Sequence, residues 1–205
     1  MSDKITIVDY KAGNLTSVRL GVEKVGFEAV VTDRPEDVRR AARLIFPGVG
    51  AAGAAMRVLQ ETGLGDALRD YAAGGRPMIG ICLGAQIIFE HSAEDDADCL
   101  GLLPGTVKPL HVDPGCKVPH MGWNGVEFAA DHPLWSGLES GAQFYFVHSF
   151  APAPASPELV IGRTQYCNPF VSAVARDNIV ATQFHPERSG RLGLKVLENF
   201  LRWAP

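Results

Sequence analysis

A chain of 205 residues with 46% apolar and 20% charged side chains suits one domain, 1–205, with its own core, and lies far from the composition of disordered chains. Its 23 acidic and 19 basic residues give a formal charge of −4 with the basic ones scattered, which argues against a nucleic-acid partner. The longest nearly apolar stretch, Met78 to Phe89, is broken by Gly80, Gly84 and Gln86 and falls short of the roughly 20 residues of a membrane span.

The first segment, ITIVDY, reads as a strand, and the residues before it lack the basic flank and apolar run of a secretory signal, so a cytoplasmic location without membrane contact is expected. A helix over Leu15 to Val25, a strand AVVT, a helix over Val38 to Ala42 and a strand RLIF follow. Two helical stretches then lead to the strand PMIGIC and a further helix from about Ala85. This alternation predicts an α/β fold with a mostly parallel sheet flanked by helices. After Cys99 strands come without helices between them: LLPGTVKPL, VEF, QFYFVHSF, ELVIGRT, and the pair FVSAVA and NIVATQF around Arg176-Asp177-Asn178. Antiparallel additions in the second half, making a mixed sheet, are the simplest account. Ala151 to Pro157 reads as a proline-rich connector too short to divide domains, and a last helix over Leu192 to Trp203 closes the chain. Cys82, Cys99, Cys116 and Cys167 show no C-x-x-C spacing and no zinc-finger histidine, so neither a metal site nor a disulfide framework is expected.

Three segments carry chemistry. Gly48-Val49-Gly50-Ala51-Ala52-Gly53 matches G-x-G-x-x-G after a strand and before a helix, which makes a dinucleotide-binding module one hypothesis. That reading needs an acidic residue at the end of the next strand, and this strand ends in Cys82. What the glycines supply in either case is backbone free to approach a ligand or to turn N–H groups toward an anion. The second segment, Gly80-Ile81-Cys82-Leu83-Gly84, puts a thiol at a strand-to-helix turn between two glycines, the cysteine form of a nucleophile elbow. The partial positive charge of a helix N-terminus favours the thiolate there, while a buried inert cysteine is the alternative. The third, Gln183-Phe184-His185-Pro186-Glu187, ends a strand. The proline turn lets His185 and Glu187 point to one place, as a base with an orienting carboxylate.

Together, Pro47-Gly48-Val49-Gly50, Gly80 to Gln86 and Phe184-His185-Pro186-Glu187 resemble the class I (triad) glutamine amidotransferases in order and spacing. Three further segments are similar to the branch of that class that serves imidazole glycerol phosphate synthesis: Ile7 to Tyr10 with Gly13 to Val18, Pro119 to Asn124, and Tyr145 to Phe150. The resemblance implies hydrolysis of glutamine to glutamate, with ammonia passed to a separate (β/α)8-barrel cyclase subunit in a heterodimer. It implies no cofactor and no metal. It makes Cys82 the nucleophile, His185 the general acid/base and Glu187 its partner. Backbone N–H groups of Leu83 and of Val49 or Gly50 would form the oxyanion hole, the glycine loop reorienting a peptide to complete it. Gly48, Gln86, Glu94, His148, Ser149 and Phe150 fall at substrate-pocket positions, and Asn14, Trp123, Tyr145 and Arg188 are the candidates for the partner surface. The chain departs from the family pattern at Lys11, Ala12, Ala52, Ala85, Phe150 and Arg188, none of them in the triad. The competing assignments are a glutaminase of anthranilate, aminodeoxychorismate or pyridoxal phosphate synthesis, and a scaffold that has lost turnover. The first loop and Pro119 to Asn124 speak against those other glutaminases.

Overall fold

The computed structural model describes residues 4–11, 14–111, 113 and 115–205, so Ala12 and Gly13 of the first loop lie outside the described residues. In chain order the elements are β1 (Ile5–Val8), α1 (Leu15–Lys24), β2 (Ala29–Thr32), α2 (Pro35–Arg40), β3 (Arg43–Gly48), α3 (Ala52–Thr62), α4 (Leu64–Ala73), β4 (Met78–Cys82), α5 (Leu83–Ile87), β5 (His91–Ser92), β6 (Ala97–Asp98), β7 (Gly105–Pro109), β8 (His120–Phe128), β9 (Ala142–His148), β10 (Phe150–Pro154), β11 (Val160–Tyr166), β12 (Asn168–Arg176), β13 (Ile179–Thr182) and α6 (Gly190–Arg202).

Nine strands form one sheet in the order β2-β1-β3-β4-β13-β12-β11-β8-β9. The pairs from β2 through β13 are parallel, and those from β13 to β9 are antiparallel, as expected for the second half. β1, β4 and β13 are buried along their whole length, the signature of strands covered on both faces. On one face α3, α4 and α5 cover Phe46, Leu44 and Met78; on the other, α1 and α6 cover Ile7, Ile79 and Val180. A second sheet, β10-β7-β5-β6, lies at the side.

Local chemistry sets several ends. Asn14 caps α1 by accepting a hydrogen bond from the Ser17 N–H at 3.3 Å. α2 opens with proline and two acidic residues and closes with two arginines, matching the helix dipole. Gly63, at φ +73°, ends α3 and starts α4 in one residue, a left-handed conformation that suits glycine.

Four expectations need correction. The strand expected at Val126–Phe128 starts six residues earlier, at His120, because its glycines, Gly122 and Gly125, mask a ladder that pairs Gly122 with Phe146 and Gly125 with Gln143. The proline-rich connector contains β10, whose prolines are tolerated because this strand lies at the edge of the small sheet. The helix after Cys82 begins at Leu83 and runs only five residues. Finally, Cys116 and Cys167 are joined as a disulfide with Cα atoms 6.5 Å apart. Their separation of 51 residues carries no motif; the Cys116 loop folds over the β11–β12 turn, where Tyr166 Oη donates to the Lys117 carbonyl at 2.8 Å. Cys82 and Cys99 are free and buried.

Candidate active site

Register brings the chemistry to one edge. Gly48 pairs with Cys82 and Ile81 with Thr182, so β3, β4 and β13 end side by side, and the segments following them open onto one rim. A cleft of about 270 Å³ lies there, lined by Val49, Gly50, Cys82, Leu83, Gln86, Glu94, Pro119, Val147, His148, Ser149, Phe150 and His185. That is the size class of a site for a small molecule.

Cys82 stands on the elbow at φ +55°, ψ −109°, a backbone conformation that costs a non-glycine residue of order 1–3 kcal/mol. The flanking glycines let the turn close. A Cβ at position 80 would lie 2.8 Å from the Gly84 carbonyl oxygen, and one at position 84 would overlap the carbonyl oxygen of Phe46 in β3. The sulfur is nearly buried and approaches the Val147 carbonyl at 3.9 Å and the Gln183 amide nitrogen at 3.8 Å.

His185 Nδ1 lies 2.8 Å from Glu187 Oε1, with both side chains at least 95% shielded from solvent. Its Nε2 has no hydrogen-bond partner among the described residues and lies beside the Cys82 sulfur. Burial works against the charged imidazole, but the neighbouring Cys82 and Glu187 outweigh it and push His185 up to about 10. An acceptor on Nδ1 fixes the proton there and leaves Nε2 to exchange one with the sulfur. The three residues distant in sequence therefore meet as a thiol, an imidazole and a carboxylate in the order a triad requires.

The expected pocket residues divide by contact. Gln86 donates from Nε2 to the Phe150 carbonyl and to Gln183 Oε1, both at 2.9 Å, so its side-chain amide is already engaged inside the molecule. Glu94 lines the cleft, yet its Oε2 accepts from the Ala52 N–H at 2.9 Å, and Asp95 accepts from the Gly53 N–H at 3.2 Å. The chain's own carboxylates thus occupy the start of α3, the place where G-x-G-x-x-G would receive a pyrophosphate. Burial raises the Glu94 pKa, only partly offset by the Ala52 hydrogen bond. Gly48 has no room for a side chain, which would strike the Tyr10 hydroxyl, and the Ser149 carbonyl is used by the Leu110 N–H at 2.8 Å.

A second, narrower cavity of about 50 Å³ lies on the other side of His185, lined by Asn14, Gly48, Val49, Glu187 and Arg188 among others. Of the surface candidates, Trp123 and Tyr145 meet edge to face at 6.2 Å, and Arg188 lies over the Tyr145 ring at 4.5 Å. Trp123 is 55% exposed and so is not a core aromatic.

His148, a pocket candidate, brings a second histidine and further buried polar groups to this edge. His120 Nδ1 lies 3.0 Å from His148 Nε2, and His148 Nδ1 donates to the Phe150 carbonyl at 2.8 Å. Burial pushes His120 down to about 4 and His148 to about 3, so both are neutral at pH 7. The Tyr10 hydroxyl is buried beneath Gly48 without a partner among the described residues. His120 lies in the family-like segment Pro119 to Asn124 and Gln183 opens the segment that carries His185 and Glu187, yet neither has a role that the sequence alone assigns.

Residues 6–203 match the family described as glutamine amidotransferase class-I. The chain is 49% identical to the imidazole glycerol phosphate synthase subunit HisH of Thiobacillus denitrificans, over 100% of this chain and 93% of that one. It is 44% identical to the protein of the same name from Synechocystis, over 97% and 95%. Among solved structures, PurLQS from Thermotoga maritima superposes with a TM-score of 0.75 over 98% of both chains at 20% identity, a likeness of fold. The chain belongs to the class-I glutamine amidotransferase family and, within it, to the group of imidazole glycerol phosphate synthase HisH subunits.

Proposed function

We propose that this chain hydrolyses glutamine through Cys82, His185 and Glu187 and delivers the ammonia to a (β/α)8-barrel cyclase subunit that makes imidazole glycerol phosphate, in a cytoplasmic step of histidine synthesis. The observation that carries the reading is the meeting of the strained Cys82 elbow and the Glu187-held His185 in one amino-acid-sized cleft. Cys82 thiolate attacks the side-chain carbonyl carbon of glutamine, forming the S–C bond. His185 imidazolium gives its proton from Nε2 to the leaving nitrogen, which departs as ammonia and leaves a γ-glutamyl thioester. His185, now neutral, takes a proton from water as that water attacks the thioester carbonyl. Collapse releases glutamate and restores the thiolate–imidazolium pair. The N–H of Leu83, first in α5 and so without an intrahelical acceptor, and one from Val49 or Gly50 would hold the developing oxyanion.

A docking face for the cyclase is consistent with the exposed apolar side chains beside the cleft. Val49 is 43% exposed, Val118 47%, Met121 63% and Trp123 55%. Glutamine hydrolysis measured with and without the cyclase subunit tests the assignment: stimulation by about 5- to 150-fold is expected, the effect of lowering the barrier by about 1–3 kcal/mol. Capture of a chorismate-using enzyme in place of the cyclase, with no stimulation by the cyclase, would overturn it.

Glu187→Gln carries a pH prediction. In the wild type His185 keeps its proton up to about pH 10, so the alkaline fall in kcat/KM lies near there. Without the carboxylate the imidazolium loses one of its two supports, and the alkaline limb moves toward neutrality. The rate at pH 7.5 falls by about 10²–10⁴-fold. A pH–rate profile whose alkaline limb stays in place would show that Glu187 does not support the charge on His185.

A further inference from the structure

We infer that Gln183 is a further catalytic residue, holding the Cys82 thiolate by an N–H donor whose direction is fixed through Gln86 by the Phe150 carbonyl, which His148 and, behind it, His120 on β8 hold in place. The inference rests on Cys82 being the nucleophile. Gln183 is almost fully buried, and its Nε2 lies 3.8 Å from the Cys82 sulfur.

A glutamine amide can be turned end for end, so the question is what sets it. The Phe150 carbonyl can only accept. It therefore receives an N–H from Gln86 Nε2, which fixes the Gln86 amide, and Gln86 Nε2 then donates its other hydrogen to Gln183 Oε1. That leaves Gln183 Nε2 toward the sulfur as a donor. The same carbonyl takes the Nδ1–H of His148, so His148 Nε2 is an acceptor, and His120 Nδ1 supplies its hydrogen. His120 Nε2 faces Asn124 Nδ2 at 3.5 Å, and Asn124 Nδ2 also donates to the Gln165 carbonyl at 2.9 Å. The histidine bonds do not set the sense of the Gln86 and Gln183 amides, which the Phe150 carbonyl already fixes; they hold that carbonyl in place from its other side. His120 is clamped in that place by stacking on Tyr166, with centroids 4.0 Å apart, and on Phe146 at 5.0 Å.

The chemical consequence is specific. A donor aimed at sulfur stabilises the anion over the thiol, and in a buried site this is worth more than in water. Gln183 would therefore act before substrate arrives. His120 touches neither sulfur nor substrate and is a positioning residue, acting through His148 and the shared Phe150 carbonyl.

The test is the rate of Cys82 alkylation by iodoacetamide as a function of pH, on the full-length chain, with thermal melts recorded alongside. Gln183→Met keeps the volume and removes the donor; Gln183→Glu replaces the donor with a second acceptor. The other titratable groups around the sulfur (His185, His148, Tyr10 and Glu94) stay in place in both. The alkylation rate of Cys82 at pH 7 is expected to fall about tenfold in Gln183→Met, and further in Gln183→Glu, which sets a carboxylate beside the sulfur. His120→Phe, which keeps the ring stack, is expected to give a smaller fall. In assays with glutamine, Gln183→Met is expected to lower kcat with KM within about threefold, the pattern of an interaction with the reacting atoms. If Gln183→Met lowers the melting temperature while its alkylation profile superimposes on the wild type, the residue is structural and the inference fails alone. If wild-type Cys82 reacts no faster than Cys99, the nucleophile assignment fails and takes the inference with it.

Discussion

Cys82→Ala is expected to reduce glutamine hydrolysis in the assembled enzyme by about 10⁴-fold or more, since it removes the atom proposed to form the thioester and leaves His185 and Glu187 no nucleophile to serve. Its effect on stability separates chemistry from folding. Cys82 is held at φ +55°, ψ −109°, which only glycine adopts without cost. Alanine inherits that strain, so its melting temperature stays close to the wild type. Cys82→Gly relieves it and is expected to be more stable by about 1 kcal/mol, though equally inactive. Chemical denaturation of the three proteins checks the order. A Cys82→Gly variant less stable than Cys82→Ala would mean that the elbow is not strained, and with it would go the idea that stability is given up here to project the sulfur.

The second large effect is at Gly84. A methyl group there would overlap the Phe46 carbonyl oxygen, which belongs to the backbone of β3 and cannot swing aside as a flexible side chain can. Gly84→Ala must therefore push α5 away from β3 or shift β3 itself. Overpacking of this kind costs about 1–3 kcal/mol, and a backbone clash lies at the upper end. Because α5 starts at Leu83, the displacement carries the Leu83 N–H and the sulfur with it, and a misplacement of about 1 Å costs about 10²-fold in rate. Both losses are expected together, read as a lower melting temperature and a lower kcat in the fraction that remains folded. Gly75→Ala is the control: its Cβ would meet nothing within 4 Å, and its positive φ adds only ordinary strain, so kcat should be untouched. Full activity in Gly84→Ala would contradict the tight elbow.

The parallel half of the fold was legible because each strand there is a short β-branched run followed by a helical period, and the site was legible because its parts sit at strand ends. Cys82 between two glycines and His185 with Glu187 across a proline carry their geometry in their spacing. What escaped was set by pairing at a distance. Only the end of β8, Val126–Phe128, reads as a strand because Gly122 and Gly125 interrupt the pattern before it, and the rest becomes a strand through its ladder to β9. β10 escaped because prolines signal a connector unless the strand lies at an edge. The Cys116–Cys167 bond, the His120–His148 contact and the Gln183 amide depend on residues 51, 28 and 101 positions apart, the last counted from Cys82. Glu94 is the instructive case: placed by resemblance at a substrate-pocket position, it accepts with Asp95 from the first N–H groups of α3 and gives the glycine motif a role other than binding a dinucleotide.

The most direct trial uses diazo-oxo-norleucine, an alkylating analogue of glutamine, on the complex with the cyclase subunit, with the modified residue mapped by peptide mass spectrometry. One adduct per chain is expected, on Cys82, appearing in step with the loss of hydrolysis and prevented by excess glutamine. Inactivation without modification of Cys82, or labelling of Cys99 at the same rate, would contradict the account.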